Sequence, residues 1–342
     1  MSTTCFANYT MTSAPSLNTT DTVSLCNVLD ACLVNGFGGY TAPGWNILYS
    51  SQGQRCYQAK EGNQFPLYIN ESNNPSFGTY QGNVATWYGM EAWNGPNNLP
   101  TNRFPTTTTY PMGMPLQKWY QSPATGIPWW FFGNGSCFWF IVGSSTHSGS
   151  YGTANAVYRT IPFFYGDFIS EIPGYSYNTA IIGMSANGYT SWSTAIMQQY
   201  CSDAFPYAGR ATTSANTGFG SASTSMFVAR SYNGNDLSPA SSILYRGVIY
   251  YSDAGFGGSY FDPQTNIAMF DQPFISVGGN EACPIGRIPG FWNSVTADDN
   301  RSYNSGDTIT DTDYSSTATF YIFNDKISIG YLIEYDPVNP WS

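Results

Sequence analysis

Trp129-Trp130-Phe131-Phe132, then Gly133-Asn134-Gly135, then Cys137-Phe138-Trp139-Phe140-Ile141-Val142: two aromatic and β-branched runs joined by a glycine-rich turn predict a β-hairpin. Gly and Asn reach the backbone angles a tight connection needs. The turn also interrupts the longest apolar stretch, 127–143, which therefore cannot cross a bilayer as a helix. Outward from the hairpin the same pattern recurs. Residues 243–251, 317–323 and 326–335 read as strands, the last two joined by Asn324-Asp325. Strands at this density, punctuated by Gly, Asn and Pro, predict a mainly β protein of sandwich or jelly-roll-like antiparallel sheets. Residues 144–155 and 211–225, rich in Ser, Thr, Gly and Ala, read as long surface loops. The second follows Pro206 and suggests a division into a helix-plus-β domain over 21–205 and a second β subdomain over 206–342, a single domain being the alternative.

Helical periodicity is convincing in one place, Leu25-Cys26-Asn27-Val28-Leu29-Asp30-Ala31-Cys32-Leu33-Val34-Asn35-Gly36-Phe37-Gly38. Leu25, Leu29, Cys32 and Leu33 share an apolar face, Asp21 or Thr22 can cap the start, and Gly36 sits where a left-handed stop is wanted. A helix over 22–35 is expected. Before it, residues 1–20 are small and polar, carry Pro15, and read as an extended N-terminal arm. Fully stretched it would reach about 65 Å, enough to lie on a neighbouring subunit.

Charged residues are only 9% of the 342, against about 25% in an ordinary soluble domain. A surface wetted by Ser, Thr, Asn, Gln and Tyr suits large protein contacts, because aromatics bury area while their hydroxyls stay bonded. The net charge is −10 with 11 basic residues and no basic run, so nucleic acid is not an expected partner. The 7 cysteines include no close pair of the kind zinc sites use. Cys26 and Cys32 would lie about 9 Å apart along the helix axis, too far for a disulfide. Reduced, mostly buried cysteines are expected. The first residues show no secretory signal, so the sequons at Asn8, Asn18, Asn70, Asn134 and Asn300 reflect composition rather than glycosylation.

Several stretches together resemble a family of tailed-bacteriophage virion structural proteins. The helix is similar to its "LLDACLVNGYG" motif, followed here too by Gly44-Trp45. The hairpin with Pro128 resembles an "RPW-hydrophobic-GDGRTFYL" segment, and Phe163-Phe164-Tyr165-Gly166-Asp167-Phe168-Ile169-Ser170 an "FFGDF-S" segment. Gly286-Arg287-Ile288-Pro289-Gly290-Phe291-Trp292 resembles "RGRLPGLW", Ser305-Gly306-Asp307-Thr308 the following "DGDTF", and Trp341 the terminal "DTWS". Between 57 and 93 the chain departs from the family pattern. The resemblance implies a non-enzymatic virion subunit, made in the host cytoplasm and built into the particle, without fixing head, neck or tail. An exterior decoration, cement or collar role is the leading expectation, with other virion proteins and copies of itself, a trimer being one arrangement, as partners, and no membrane. The alternative is a tail fibre, spike or baseplate adhesin that binds host glycan or protein through aromatic loops.

No constellation in the sequence calls for catalysis. The one histidine, His147, sits in a low-complexity loop where nothing fixes its tautomer. Glu71, Glu91, Asp167, Glu171, Asp203 and Asp271 could act in pairs on a glycan, but nothing in their spacing says which would meet across a cleft. No cofactor is expected, except that Asp307, Asp311 and Asp313 have the hard oxygens that could hold Ca²⁺. Trp129, Trp130, Trp139, Trp192 and Trp292 read as core, whereas Trp87, Tyr88 and Trp93, beside an Asn/Gly/Pro-rich stretch, read as a loop patch for glycan or a partner. Pro289-Gly290 should turn the chain tightly and aim Trp292 inward, with Arg287 pairing to a nearby Asp or carbonyls at a strand edge or inter-subunit seam.

Overall fold

A computed structural model describes residues 3–18, 21–71, 84–98, 103–104, 114–118, 126–143, 161–185, 223–228, 242–245, 270–272, 274–277, 283–294, 305–310, 317–325, 328–339 and 341. Their architecture is mainly β, in antiparallel sheets, with one short helical segment. The hairpin forms as read. Strands Trp129–Gly133 and Cys137–Val142 pair with Phe131 opposite Phe140, and Asn134 Oδ1 fixes the turn by accepting the Ser136 and Cys137 N–H groups at 2.9 and 3.0 Å. Every residue of both strands is buried. Side chains alternate across a sheet, so unbroken burial means that both faces are covered.

The covering layers are different sheets. The hairpin lies in a central sheet whose order is Cys5–Asn8, Trp129–Gly133, Cys137–Val142, Ile161–Asp167, Thr179–Ser185, Ser223–Val228. One face, carrying Trp129, Phe131, Phe138 and Phe140, meets the helical segment and an N-terminal sheet ordered Asn46–Ser51, Gln54–Gln58, Pro66–Asn70, Val84–Met90, Arg103–Phe104, with Met114–Gln117 also paired to Val84–Met90. Trp45 packs on Phe138 at 5.4 Å between ring centroids, Trp87 on Phe163 at 3.8 Å and Phe104 on Tyr165 at 6.3 Å. The opposite face, carrying Trp130, Phe132 and Trp139, meets a C-terminal sheet ordered Phe270–Asp271, Phe291–Ser294, Ser328–Tyr335, Thr319–Asp325, Thr308–Thr310. There Trp130 packs on Phe323 at 5.3 Å, Phe132 on Tyr321 at 5.1 Å and Trp139 on Phe291 at 4.9 Å. A smaller sheet pairs Ile169–Ser170, Cys283–Arg287, Phe274–Val277 and Ser242–Tyr245.

Three expectations are corrected. The N-terminal segment is extended, and it packs into its own molecule's core: Cys5–Asn8 pairs with Trp129–Gly133, and Ala7 and Leu17 are fully buried. Trp129 Nε1 donates to Pro15 O at 3.0 Å. The segment's apolar side chains, Phe6, Ala7 and Leu17 among them, join the core and close the outer edge of the hairpin. The helix is α only over Ser24–Leu29 and continues as a π-helix over Asp30–Asn35, with Gly36 N–H reaching back to Ala31 O at 2.9 Å. Its cap is not Asp21 or Thr22, because the Leu25 and Cys26 N–H groups donate to the Glu71 carboxylate, both at 3.1 Å. Finally, the sheets do not divide at 206. Thr179–Ser185 pairs with Ser223–Val228, Ile169–Ser170 with Cys283–Arg287, and one hydrophobic cluster runs from Ala7 to Trp341. His147, Trp192, Asp203, Asp311, Asp313, the 144–155 loop and residues 246–251 lie outside the described residues, and so does the second loop up to 222, after which 223–225 begin a strand.

Candidate functional site

Leu25, Leu29, Cys32 and Leu33 form the buried stripe read from the sequence, all fully covered, and Gly36 ends the segment at φ +72°. Trp87 and Tyr88 do not form a surface patch. They lie inside strand Val84–Met90, Trp87 facing the central sheet and Tyr88 facing the other way beneath Arg103, whose guanidinium sits 4.6 Å from the ring centroid. Both are buried, and burial pushes the Tyr88 hydroxyl up to about 12. The run Trp87-Tyr88-Gly89-Met90 was legible as a strand by its aromatic content. The Asn/Gly/Pro stretch that follows it is a loop signal that does not extend back over the strand. Trp93 alone is half-buried, packed at 5.3 Å on Tyr68 and 5.5 Å on Tyr49 over the outer face of the N-terminal sheet.

The 286–292 segment turns as expected at Pro289-Gly290, with Gly290 at φ +66°. Trp139 Nε1 donates to Pro289 O at 2.8 Å, and Phe291 is the ring that enters the main core. Trp292 therefore takes the opposite face of its strand, against the expectation that it points inward. It is partly buried on a satellite cluster with Phe320, and its Nε1 donates to Glu334 Oε2 at 2.9 Å. Arg287 pairs with a carboxylate, but that of Glu171, at 2.6 Å and half exposed, beside Gln272 Oε1 at 3.4 Å.

Of the carboxylates weighed for acid–base work, Glu71, Asp167 and Glu171 are held by structural partners. Glu71 is fully buried, bonded to Lys118 Nζ at 2.5 Å and to the start of the helix; Lys118, also fully buried, donates to Asp21 O at 2.8 Å. Asp167 accepts Asn63 N–H at 2.7 Å and Thr179 Oγ1–H at 2.5 Å, tying the 61–64 turn to the central sheet. Burial raises its carboxyl above the usual range, while those Thr179 and Asn63 bonds act against the shift. The sequence carries no sign of either hub, because Glu71 lies 45–47 residues from Cys26, Leu25 and Lys118, and Asp167 lies 104 from Asn63. Of the calcium candidates, Asp307 precedes strand Thr308–Thr310, and no group of metal ligands occurs among the described residues.

One concavity stands apart from the core. A groove of about 800 Å³ runs beside Cys5–Asn8, walled by residues 10–12, the 38–41 turn and Tyr335, with no charged side chain on it. Tyr40 leans into it while donating its hydroxyl to Cys32 O at 2.8 Å. Cys5, a free thiol raised by burial, lies along the same wall. Neutral hydroxyls, an amide and aromatic edges suit hydrogen-bonded recognition of an uncharged partner rather than an ion. Compared with known proteins, the chain matches no family model and no curated protein.

Proposed function

We propose that the chain is a non-enzymatic structural subunit of a tailed-phage virion, seated on the exterior of the head or neck in a decoration, cement or collar role. Its work is burial of surface against other virion proteins and copies of itself. The observation that carries the reading is where the family-like motifs lie in the fold. Trp45, after the helix motif, donates Nε1 to Asn134 O at 2.8 Å in the hairpin turn. Trp139 of the hairpin packs on Phe164 at 5.0 Å and bonds Pro289 O. Gly290 lies against Trp341, Gly286 against Phe168 and Gly306 against Trp130. Stretches that resemble one family in sequence order thus meet as one framework, which is what a shared fold would require. A sandwich or jelly-roll-like arrangement fits the stacked antiparallel sheets.

The charge-poor, hydroxyl-rich composition supports a contact role, and the scarcity of basic residues argues against a seat beside packaged nucleic acid. The adhesin alternative loses the aromatic patch that motivated it, since Trp87 and Tyr88 are interior. The test is immunogold labelling and cryo-EM of purified particles, with density expected on the outer surface of head or neck. Absence of the chain from particles by mass spectrometry would overturn the proposal, and density confined to fibre tips would favour the adhesin.

A further inference from the structure

The central sheet has an open edge. Cys5–Asn8 is its outermost strand among the described residues, and Tyr9 N–H donates to Trp129 O at 3.1 Å. In an antiparallel ladder this turns the backbone groups of Cys5 and Ala7 toward the hairpin, and those of Phe6 and the N–H of Asn8 away from it. Asn8 O is taken by Met11 N–H at 3.2 Å. The outward groups border the uncharged groove. Thr4 lines the same groove, is 3% exposed, and has an Oγ1 with no hydrogen-bond partner. An unpaired buried hydroxyl is costly, so an occupant offering backbone donors and acceptors would satisfy it as well as the sheet edge. An extended polypeptide without charges has that chemistry.

The same molecule carries such a strand. Asn46–Ser51 is the outermost strand of the N-terminal sheet among the described residues, with neither charge nor proline. Edges are ordinarily guarded by such residues. Here Ile47 and Leu48 are 37% and 39% exposed, and only a bulge between Ile47 and Tyr49 interrupts the ladder. We infer that strand Asn46–Ser51 of one copy adds to the Cys5–Asn8 edge of a second copy and fills the groove. The contact joins two different surfaces, so it propagates head to tail or closes a ring. It gives the proposed subunit a self-contact, yet it is tested on the purified chain, so absence from virions would sink the function and leave this inference standing.

The experiment uses the native Cys5. Ile47→Cys chains, oxidised at alkaline pH, should run as disulfide-linked dimers and longer ladders on non-reducing gels, and adding Cys5→Ser should abolish them. In sedimentation, Thr41→Glu in the groove wall and Ile47→Lys on the donor strand should each weaken association by about tenfold or more, with circular dichroism unchanged. Mixed together, the two variants should form dimers, because each retains one intact surface. The inference is overturned if the wild-type chain stays monomeric at its highest soluble concentration. It is equally overturned if cross-links persist without Cys5, which would mean symmetric pairing of the exposed strands. A groove that binds neutral oligosaccharide in titration calorimetry, while the chain stays monomeric, would assign it to glycan instead.

Discussion

At Gly290 a single hydrogen atom decides the local structure. The residue sits at φ +66°, and a Cβ there would come within 2.4 Å of the Trp341 ring. Gly290→Val should therefore combine left-handed strain with a clash and cost more than about 2 kcal/mol in urea unfolding. A loss below about 0.5 kcal/mol would show that the Trp341 contact is dispensable. The Pro-Gly turn is legible because Pro presets φ and Gly reaches positive φ at little cost; the side on which Trp292 falls is not, because strand phase depends on which sheet the strand joins. Asp336 makes the clearest pH statement. Burial would raise its carboxyl, but N–H bonds from Asn339 and Val338 at 3.0 and 2.9 Å, with Thr317 and the Asn339 side chain, outweigh this and hold it at about 2. A folded pKa depressed below the unfolded one gives stability that is present above about 4 and lost as pH falls toward about 2. Asp336→Asn should flatten that acid limb, by on the order of 2 kcal/mol. Asp167 works in the opposite sense: its raised carboxyl favours folding when protonated, and that contribution fades as pH rises through its folded value.

At the scale of the element, the helix was visible in the sequence and its surroundings were not. The spacing of Leu25, Leu29 and Leu33 is enough to place the buried face, and Leu29→Ala should cost about 2–5 kcal/mol through lost burial and a cavity. The change from α to π has a tertiary basis. Asp30 is gripped by Arg55 Nε at 2.9 Å and Tyr57 Oη at 2.7 Å, while Leu33 O accepts Gly44 and Trp45 N–H at 3.1 and 2.9 Å. The cap is equally non-local, since Glu71 comes from the end of a strand and brings Lys118 with it. Glu71→Gln leaves a buried ammonium without its counter-ion and should cost about 3–5 kcal/mol. Replacing the pair by Leu and Met should recover only part of this, because the Leu25 and Cys26 N–H groups would still lack acceptors. Full recovery in thermal unfolding would show that those N–H groups find another partner.

For the molecule as a whole, the deciding feature is a sheet buried on both sides. The hairpin 129–142 reads as β from its residue types, and its continuous apolar character also implies two covered faces, a signal that no single turn or strand carries. The division at 206 was drawn from a small-residue stretch, a local signal that carries no information about which strands pair across it. What holds this assembly is aromatic packing through the central sheet, not charge. Ion pairs among the described residues include Arg55–Asp30, Lys118–Glu71 and Arg287–Glu171, and of these three only the last is substantially exposed. Salt screens exposed charges over about 10 Å at 0.1 M and leaves buried pairs largely untouched. An exposed pair contributes about 0–1 kcal/mol, so little is available to lose. The dispersed net charge of −10 acts in the other direction, because screening relieves its self-repulsion. Raising NaCl to about 0.5 M should therefore move the melting temperature by less than about 2 °C. Sodium sulfate at the same ionic strength should raise it clearly, since sulfate strengthens apolar burial. A drop of several degrees in NaCl by scanning calorimetry would mean that surface ion pairs, rather than the aromatic layers around Trp129–Val142, carry the fold.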